Sequence, residues 1–365
     1  MKRRTFVQCG LAATFGTPLL AALQQKRLDD AAAVLAQATS QGQVSAGVIH
    51  VSQGDTSFTR AFGKAADENA MFLLGSISKP IAITALMTLF DRGEFKLDDP
   101  VKKFLPKFTG DGRDEMVMRQ LLTHVSGLPD QLPENDALRK GHASLQEFAE
   151  HAMRTPLSFA PGTKYQYSSM AILLASRIAE LISQTDILTL VDRTVLKPAG
   201  MKHSAQGLGQ FAINDMVRLQ TEFAAVEAGG GDPSAKDWDW NSPYWRKLGA
   251  PWGGTHASAP DVAKFLAEFL FAKGTVVRPE TAKLMTTNHN AAGQTPRGLG
   301  LNVGLGAGSK GCSDKTFGHT GSTGTIAWAD PASQTICVVL TSLPARAVQP
   351  HPRDVAAAHV AAAVH

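Results

Sequence analysis

The chain has 365 residues, 44% of them hydrophobic, with 33 glycines and 19 prolines. That composition is globular and large enough for a well-buried core, as one large domain or two, and it contains no internal repeat or low-complexity linker. The net charge is +4, but Lys2, Arg3 and Arg4 supply three of those charges and the remainder carries only +1, so charge argues for neither a nucleic-acid nor a membrane partner.

Lys2-Arg3-Arg4-Thr5-Phe6-Val7-Gln8, followed by a mildly apolar stretch with small residues near Ala21-Ala22, has the order of a twin-arginine export signal, expected over 1–22. The stretch is too short to span a membrane, and Cys9 lacks a lipid-attachment context. Export would leave Cys312 and Cys337 in an oxidising compartment, where pairing and two separate core thiols are both open.

Residues 28–41 read as a first helix, and 44–52 and 57–62 as two strands around a Gly54-Asp55 hairpin. The one Ser-x-x-Lys follows, Ser76-Ile77-Ser78-Lys79. Pro80 comes next, then an apolar stripe at Ile77, Ile81, Ala85 and Leu89, with Gly93 as a stop. Residues three apart share a helix face. Ser76 and Lys79 are therefore neighbours, a weak hydroxyl nucleophile beside a group able to take its proton.

From there to about residue 250 the pattern is helices and long loops. Tyr167-Ser168-Ser169 follows a Pro161-Gly162 turn and precedes an apolar helix over about 170–181, so Tyr167 stands at a loop-to-helix junction. Trp238, Trp240, Tyr244, Trp245 and Trp252 cluster after Gly229-Gly230-Gly231, either walling a binding site or pinning the loop down. A helix over 262–271 leads into strands. His319-Thr320-Gly321 lies in the first arm of a strand-turn-strand, and Gly321 would let a substrate lie against the strand edge. Residues 355–364 form an alanine-rich helix. Gly306-Ala307-Gly308-Ser309-Lys310-Gly311 matches a dinucleotide-binding fingerprint, but no helix pattern follows it and that reading is rejected. No His or Cys pair has metal-ligand spacing, and no cofactor is expected. His124 reads as a structural hydrogen-bonder.

This order predicts an α+β fold: an antiparallel sheet built from both chain ends and flanked by the terminal helices, with a mostly helical lobe inserted. Ser76 and Tyr167 come from the helical side and His319 from the sheet, so a cleft between them is the natural site.

Ser76-x-x-Lys79, Tyr167-Ser168-Ser169 and His319-Thr320-Gly321, in that order, resemble the motifs of the serine β-lactamase and penicillin-binding-protein superfamily. The nearest likeness is to class C β-lactamases, D-Ala-D-Ala carboxypeptidases and family VIII esterases. It covers about 28–343, and Leu97-Asp98-Asp99-Pro100-Val101, Leu121-Leu122-Thr123-His124-Val125-Ser126-Gly127-Leu128-Pro129 and Gly253-Gly254-Thr255-His256 also match. The resemblance implies a β-lactamase/transpeptidase-like domain over 28–365, with an α/β lobe at about 28–70 and 255–365 and a helical lobe at about 71–254. It implies that Ser76 forms an acyl-enzyme, that Lys79 and Tyr167 move protons, and that the backbone N–H groups of Ser76 and Ser322 form the oxyanion hole. Ser169, His319, Thr320 and Gly321 would bind substrate. Tyr167 could act as base only if a nearby Lys79 ammonium lowered its pKa.

Two positions depart from the family pattern. Ser169 stands where Asn is common, and its hydroxyl could keep a contact with the lysine but not a second one to substrate. His319 stands where Lys is common, so a permanent cation is replaced by a group that titrates near neutrality. The expected function is an exported, periplasmic or secreted serine hydrolase acting on a small ester, amide or D-peptide. A true β-lactamase comes second, and a non-catalytic scaffold or sensor of the same fold is the rival from another class.

Overall fold

The computed structural model describes residues 16–364, with side chains from Gln25 onward. The expected export signal, 1–22, lies outside the residues whose side chains are described. Among the described residues, no helix is long and apolar enough to cross a membrane.

The described residues open with α1 (Gly16–Ser40), which begins twelve residues before the expected helix. The hairpin β1 (Ala46–Gln53) and β2 (Thr56–Gly63) follows. Short β3 (Phe72–Leu73) leads to α2 (Ser78–Asp91). The middle of the chain holds α3 (Met118–Leu122), α4 (Asn135–Lys140), α5 (Leu145–Arg154), α6 (Ser169–Ser183) and α7 (Ile187–Val191). Then come β4 (Ser204–Gln206), α8 (Pro243–Leu248), β5 (Thr255–Ala257), α9 (Ala259–Leu270) and α10 (Pro279–Met285). The chain closes with β6 (Asn302–Val303), β7 (Phe317–Gly321), β8 (Thr325–Asp330), β9 (Thr335–Thr341) and α11 (Pro352–Val364).

The main sheet has the order β2-β1-β9-β8-β7-β6 and is antiparallel throughout. Its strands from both chain ends meet where β1 pairs with β9, Val48 opposite Leu340. Strand side chains alternate between faces. Ile49, Val51, Ile326, Trp328, Cys337 and Val339 pack under α1 and α11. Val48, Ala327, Ala329, Ile336, Val338 and Leu340 face the other way and join the core that includes α9. Because both faces are covered, β9 reads as an unbroken apolar run rather than an alternating one.

A second sheet, β3-β5-β4, was not anticipated, because its strands are two or three residues long. It ties the segment before Ser76 to the segment after Trp252.

The helix carrying Lys79 is buried on every side, not along one stripe: Ser78 through Met87 are all buried. A helix enclosed all round belongs to a core. Pro80 is tolerated because it sits in the first turn, where its missing N–H would have no intrahelical acceptor.

Candidate active site

Ser76 sits in a single 3-10 turn, Gly75–Ile77, that runs straight into α2. This turn is gripped from two sides. Thr323 and Thr325 donate their hydroxyls to the carbonyls of Leu73 and Leu74, each at 2.7 Å. From the small sheet, Leu74 N–H donates to Thr255 O at 2.9 Å, and Thr255 N–H donates to Ser78 Oγ at 2.9 Å. Gly75 has φ +55°, and a Cβ there would stand 2.8 Å from Thr323 Oγ1 and 3.2 Å from Ser322 N. Only glycine satisfies both demands, and its absence of a side chain presses the Ser76 turn against the Ser322 amide. Among the described residues Ser322 N–H has no acceptor. The Ser76 N–H belongs to a first helical turn, whose amides lack intrahelical acceptors. The two amides expected to form an oxyanion hole are thus brought together.

Lys79 is 1% exposed, and its Nζ lies 2.9 Å from Ser76 Oγ and 3.0 Å from Trp252 O. Burial lowers its pKa to about 7, with Asp130 acting upward and Arg297 further downward.

Tyr167 is held by rings and cations. His124 lies 4.5 Å from it between centroids, Lys79 Nζ stands 4.7 Å over its ring, and Arg297 stands at 5.7 Å. Burial pushes its phenol well above the ordinary value, outweighing the downward pull of Arg297 and the approach of Ser76. The Tyr167 and Ser76 hydroxyls do not meet in hydrogen-bond geometry, and the phenol oxygen is buried without a partner among the described residues. The expectation that Lys79 would lower the Tyr167 pKa is therefore corrected. Lys79 lies against the ring rather than the hydroxyl, and the group poised to lose its proton near neutrality is the lysine.

His319 is corrected as well. Burial first, then Arg297 and Lys79, hold its pKa well below the ordinary value. Its Nδ1 lies 2.7 Å from Thr320 O, which can only accept, so Nδ1 carries the proton. Nε2 is then the acceptor that faces Arg297 Nη2 at 3.4 Å. His319 is a neutral imidazole of defined tautomer, and the cation at this position is Arg297.

Ser169 does not touch Lys79. Its hydroxyl and its N–H both donate to Asp130 Oδ1, at 2.6 and 2.9 Å, and the side chain is 2% exposed. Gly321 is required chiefly by the fold: a Cβ there would lie 2.1 Å from Leu74 O and 2.2 Å from Thr325 Oγ1. Strand β6 pairs with β7 only at Phe317 and Gly318, so the edge at His319, Thr320 and Gly321 remains open beyond it.

His124 is the structural hydrogen-bonder expected. Its Nδ1 accepts from Ser168 N–H at 3.1 Å, and its carbonyl accepts from Gln166 N–H at 2.9 Å, which fixes the loop that carries Tyr167. Ser168 then caps α6, its hydroxyl accepting from Ala171 N–H at 2.9 Å.

Two cavities meet at Ser76. The larger, about 690 Å³, is lined by Tyr165, Arg297, Leu305, His319 and Thr320. The smaller, about 210 Å³ and more enclosed, is lined by Lys79, Asp130, Arg139, Trp240, Trp245 and Trp252. Ser76, Tyr167 and Ser322 border both. Three of the clustered tryptophans thus wall the site, and the same loop is also pinned down: Arg246 Nη2 donates to Val217 O and Asn241 Oδ1 at 2.9 and 2.8 Å.

Sequence reading missed Asp130, Arg139, Arg297 and the Trp252 carbonyl. Asp130 follows directly on the matched stretch 121–129, and that adjacency was the available signal. Arg297 and Arg139 stand alone among uncharged or exposed neighbours, and nothing local marks them as buried.

The model of the family described as "Beta-lactamase" matches residues 29–362. The esterase EstB of Burkholderia gladioli is 32% identical over 207 residues, which are 53% of this chain and 50% of that protein, so the match spans about half of that relative. A Salmonella agona (strain SL483) protein named "Putative D-alanyl-D-alanine carboxypeptidase" is 27% identical over 312 residues, covering 76% of this chain and 71% of that one. A solved penicillin-binding-protein homologue from Caulobacter crescentus superposes with a TM-score of 0.76 at 18% identity, over 93% of this chain and 98% of its own, and so shares the fold. With the matched family model covering nearly all of the sequence that builds this sheet, this helix and this cleft, the chain belongs to the beta-lactamase family.

Proposed function

We propose that this serine hydrolase cleaves an ester or amide through a Ser76 acyl-enzyme, as an esterase or a D-amino-acid peptidase. The observation that carries the reading is the buried Lys79 amine, 2.9 Å from Ser76 Oγ with a pKa held near 7. A base within hydrogen-bond reach and poised at the working pH is what proton transfer requires.

Neutral Lys79 takes the Ser76 proton as Oγ bonds to the substrate carbonyl carbon. The carbonyl electrons move to oxygen, which the Ser76 and Ser322 amides receive. The Lys79 ammonium gives that proton to the leaving oxygen or nitrogen, while Tyr167, kept as a phenol, donates a hydrogen bond to it. Water then attacks the acyl-enzyme, and Lys79 takes its proton and returns it to Ser76 Oγ as the acyl group leaves. Relatives named as an esterase and a carboxypeptidase support ester and D-peptide substrates alike. Arg297, buried and with an unpartnered Nε on the wall beside Thr320, favours a substrate whose departing half carries a carboxylate, as a D-peptide does. The basic, then apolar start of the chain supports export through a twin-arginine route.

The test is hydrolysis of p-nitrophenyl butyrate by the protein and by Ser76→Ala. The expected result is turnover that falls at least about a thousandfold in the variant. Equal turnover in both proteins would remove Ser76 from the mechanism. Absence of turnover on butyrate, D-alanyl peptides and a chromogenic cephalosporin alike would favour a scaffold.

A further inference from the structure

The smaller cavity contains a cation that the proposed chemistry does not use. Arg139 projects from α4 and is 3% exposed. Its guanidinium lies 3.9 Å from the ring centre of Trp245, and Nε donates to Asn135 Oδ1 at 3.2 Å. Nη1 is buried with no hydrogen-bond partner among the described residues. No carboxylate forms an ion pair with Arg139 among them either. Burial brings its pKa down to about 10, against the upward pull of Tyr244 and of the unpaired but nearby Glu227 and Asp136. A guanidinium removed from water without a carboxylate is costly, and an orphaned buried donor adds to the cost.

The cavity wall is not uniformly positive, since Asp130 and Glu227 line it as well. Asp130 is engaged by the Ser169 N–H and hydroxyl through one oxygen. The Glu227 side chain does not reach the guanidinium, whose neighbour Asn135 bonds instead to the Glu227 carbonyl at 3.0 Å. Arg139 itself lines the cavity that Ser76 and Lys79 also line, with its orphan Nη1 buried behind that wall.

Of the two halves of a substrate, the acyl group stays bound to Ser76 while the other half departs. The smaller, more enclosed cavity suits the half that stays, and its volume of about 210 Å³ suits a short chain. We propose that Arg139 and Trp245 form an acyl-side subsite for a short acyl group ending in a carboxylate. The inference rests on the Ser76 acyl-enzyme. The carboxylate would accept from the Arg139 N–H groups as a charge-assisted pair, while the methylene chain lies along the tryptophans.

The test compares mono-p-nitrophenyl adipate with p-nitrophenyl hexanoate, six-carbon acyl groups that differ at the far end. Spontaneous hydrolysis is subtracted. The protein is expected to favour the adipate at least about tenfold in kcat/KM. Arg139→Met should erase most of that preference while changing hexanoate less than about threefold, and Arg139→Lys should restore part of it. A preference for hexanoate in the unaltered protein, or equal losses on both esters in a folded Arg139→Met, overturns the subsite. If Arg139→Met does not fold, the preference of the unaltered protein decides. Calorimetry of free adipate and hexanoate with Ser76→Ala reads the subsite apart from catalysis. Adipate binding there, even with no esterase activity in the unaltered protein, sinks only the catalytic reading. Hexanoate binding more tightly than adipate sinks the subsite.

Discussion

Lys79 decides the pH behaviour of the molecule. Its pKa is about 7 in the fold because burial disfavours the ammonium. The rate kcat/KM should therefore fall about tenfold per pH unit below pH 7, as the base becomes protonated. Arg297 is one of the groups holding that value down. Arg297→Met should move the acid limb to higher pH, and Arg297→Lys should leave it nearly in place. An unmoved limb in the methionine variant would take Arg297 out of the tuning. The same shift has a consequence for stability. The unfolded chain binds a proton at Lys79 up to about pH 10.5, whereas the folded chain releases it near 7. Stability thus rises with pH across that window. Lys79→Met should be more stable than the parent, most at and below pH 7, with the gain shrinking toward pH 10.5. Denaturant melts at pH 6 and pH 9 read this directly. The roles of Ser76 and Lys79 were legible because one helical turn sets their spacing. The neutrality of His319 was not legible, since it depends on burial and on Arg297, which lies 22 residues earlier in the chain.

Three elements converge on the Ser76 turn: the small sheet, the β7–β8 hairpin and the loop before α6. Each contributes contacts that one substitution can break. Gly321→Ala would drive a methyl into the Leu74 carbonyl, and backbone on both sides leaves little room to yield. A loss of about 1–3 kcal/mol in stability is expected, with activity falling because Leu74 precedes the nucleophile turn. His124→Ala would leave the buried Ser168 N–H without its acceptor, a cost of about 1–3 kcal/mol. It would also remove the ring packed on Tyr167. Urea titration and kcat should fall together in both variants, and an unchanged kcat in a folded His124→Ala would deny that ring a positioning role. The hairpins and long helices could be read in the sequence from periodicity. Strands β3, β4 and β5 could not, because two or three residues carry no period.

At the scale of the whole molecule, the sheet joins both ends of the chain, with β1 beside β9 and α1 beside α11. Cys312 and Cys337 lie in the layer between the sheet and those helices, both as free thiols. Burial raises the Cys312 thiol to about 11 and holds the Cys337 thiol well above its ordinary value. With Cys9 replaced, the native protein should show no rapid reaction with a thiol reagent at pH 8. Denaturation should expose two thiols, and a count of none would mean a disulfide.

By itself, the sequence determined the fold class, the Ser76–Lys79 pair, the placement of Tyr167 at a helix entrance and the strand bearing His319. These follow from local spacing, which the backbone converts into geometry with little choice. Only the tertiary structure decided which groups hold charge in the cleft. Arg297, Arg139 and Asp130 come from distant segments, and the pKa values of Lys79, Tyr167 and His319 follow from burial, which no local pattern encodes. The division is physical: periodicity is a property of neighbouring residues, whereas desolvation and charge are properties of the space the whole chain encloses.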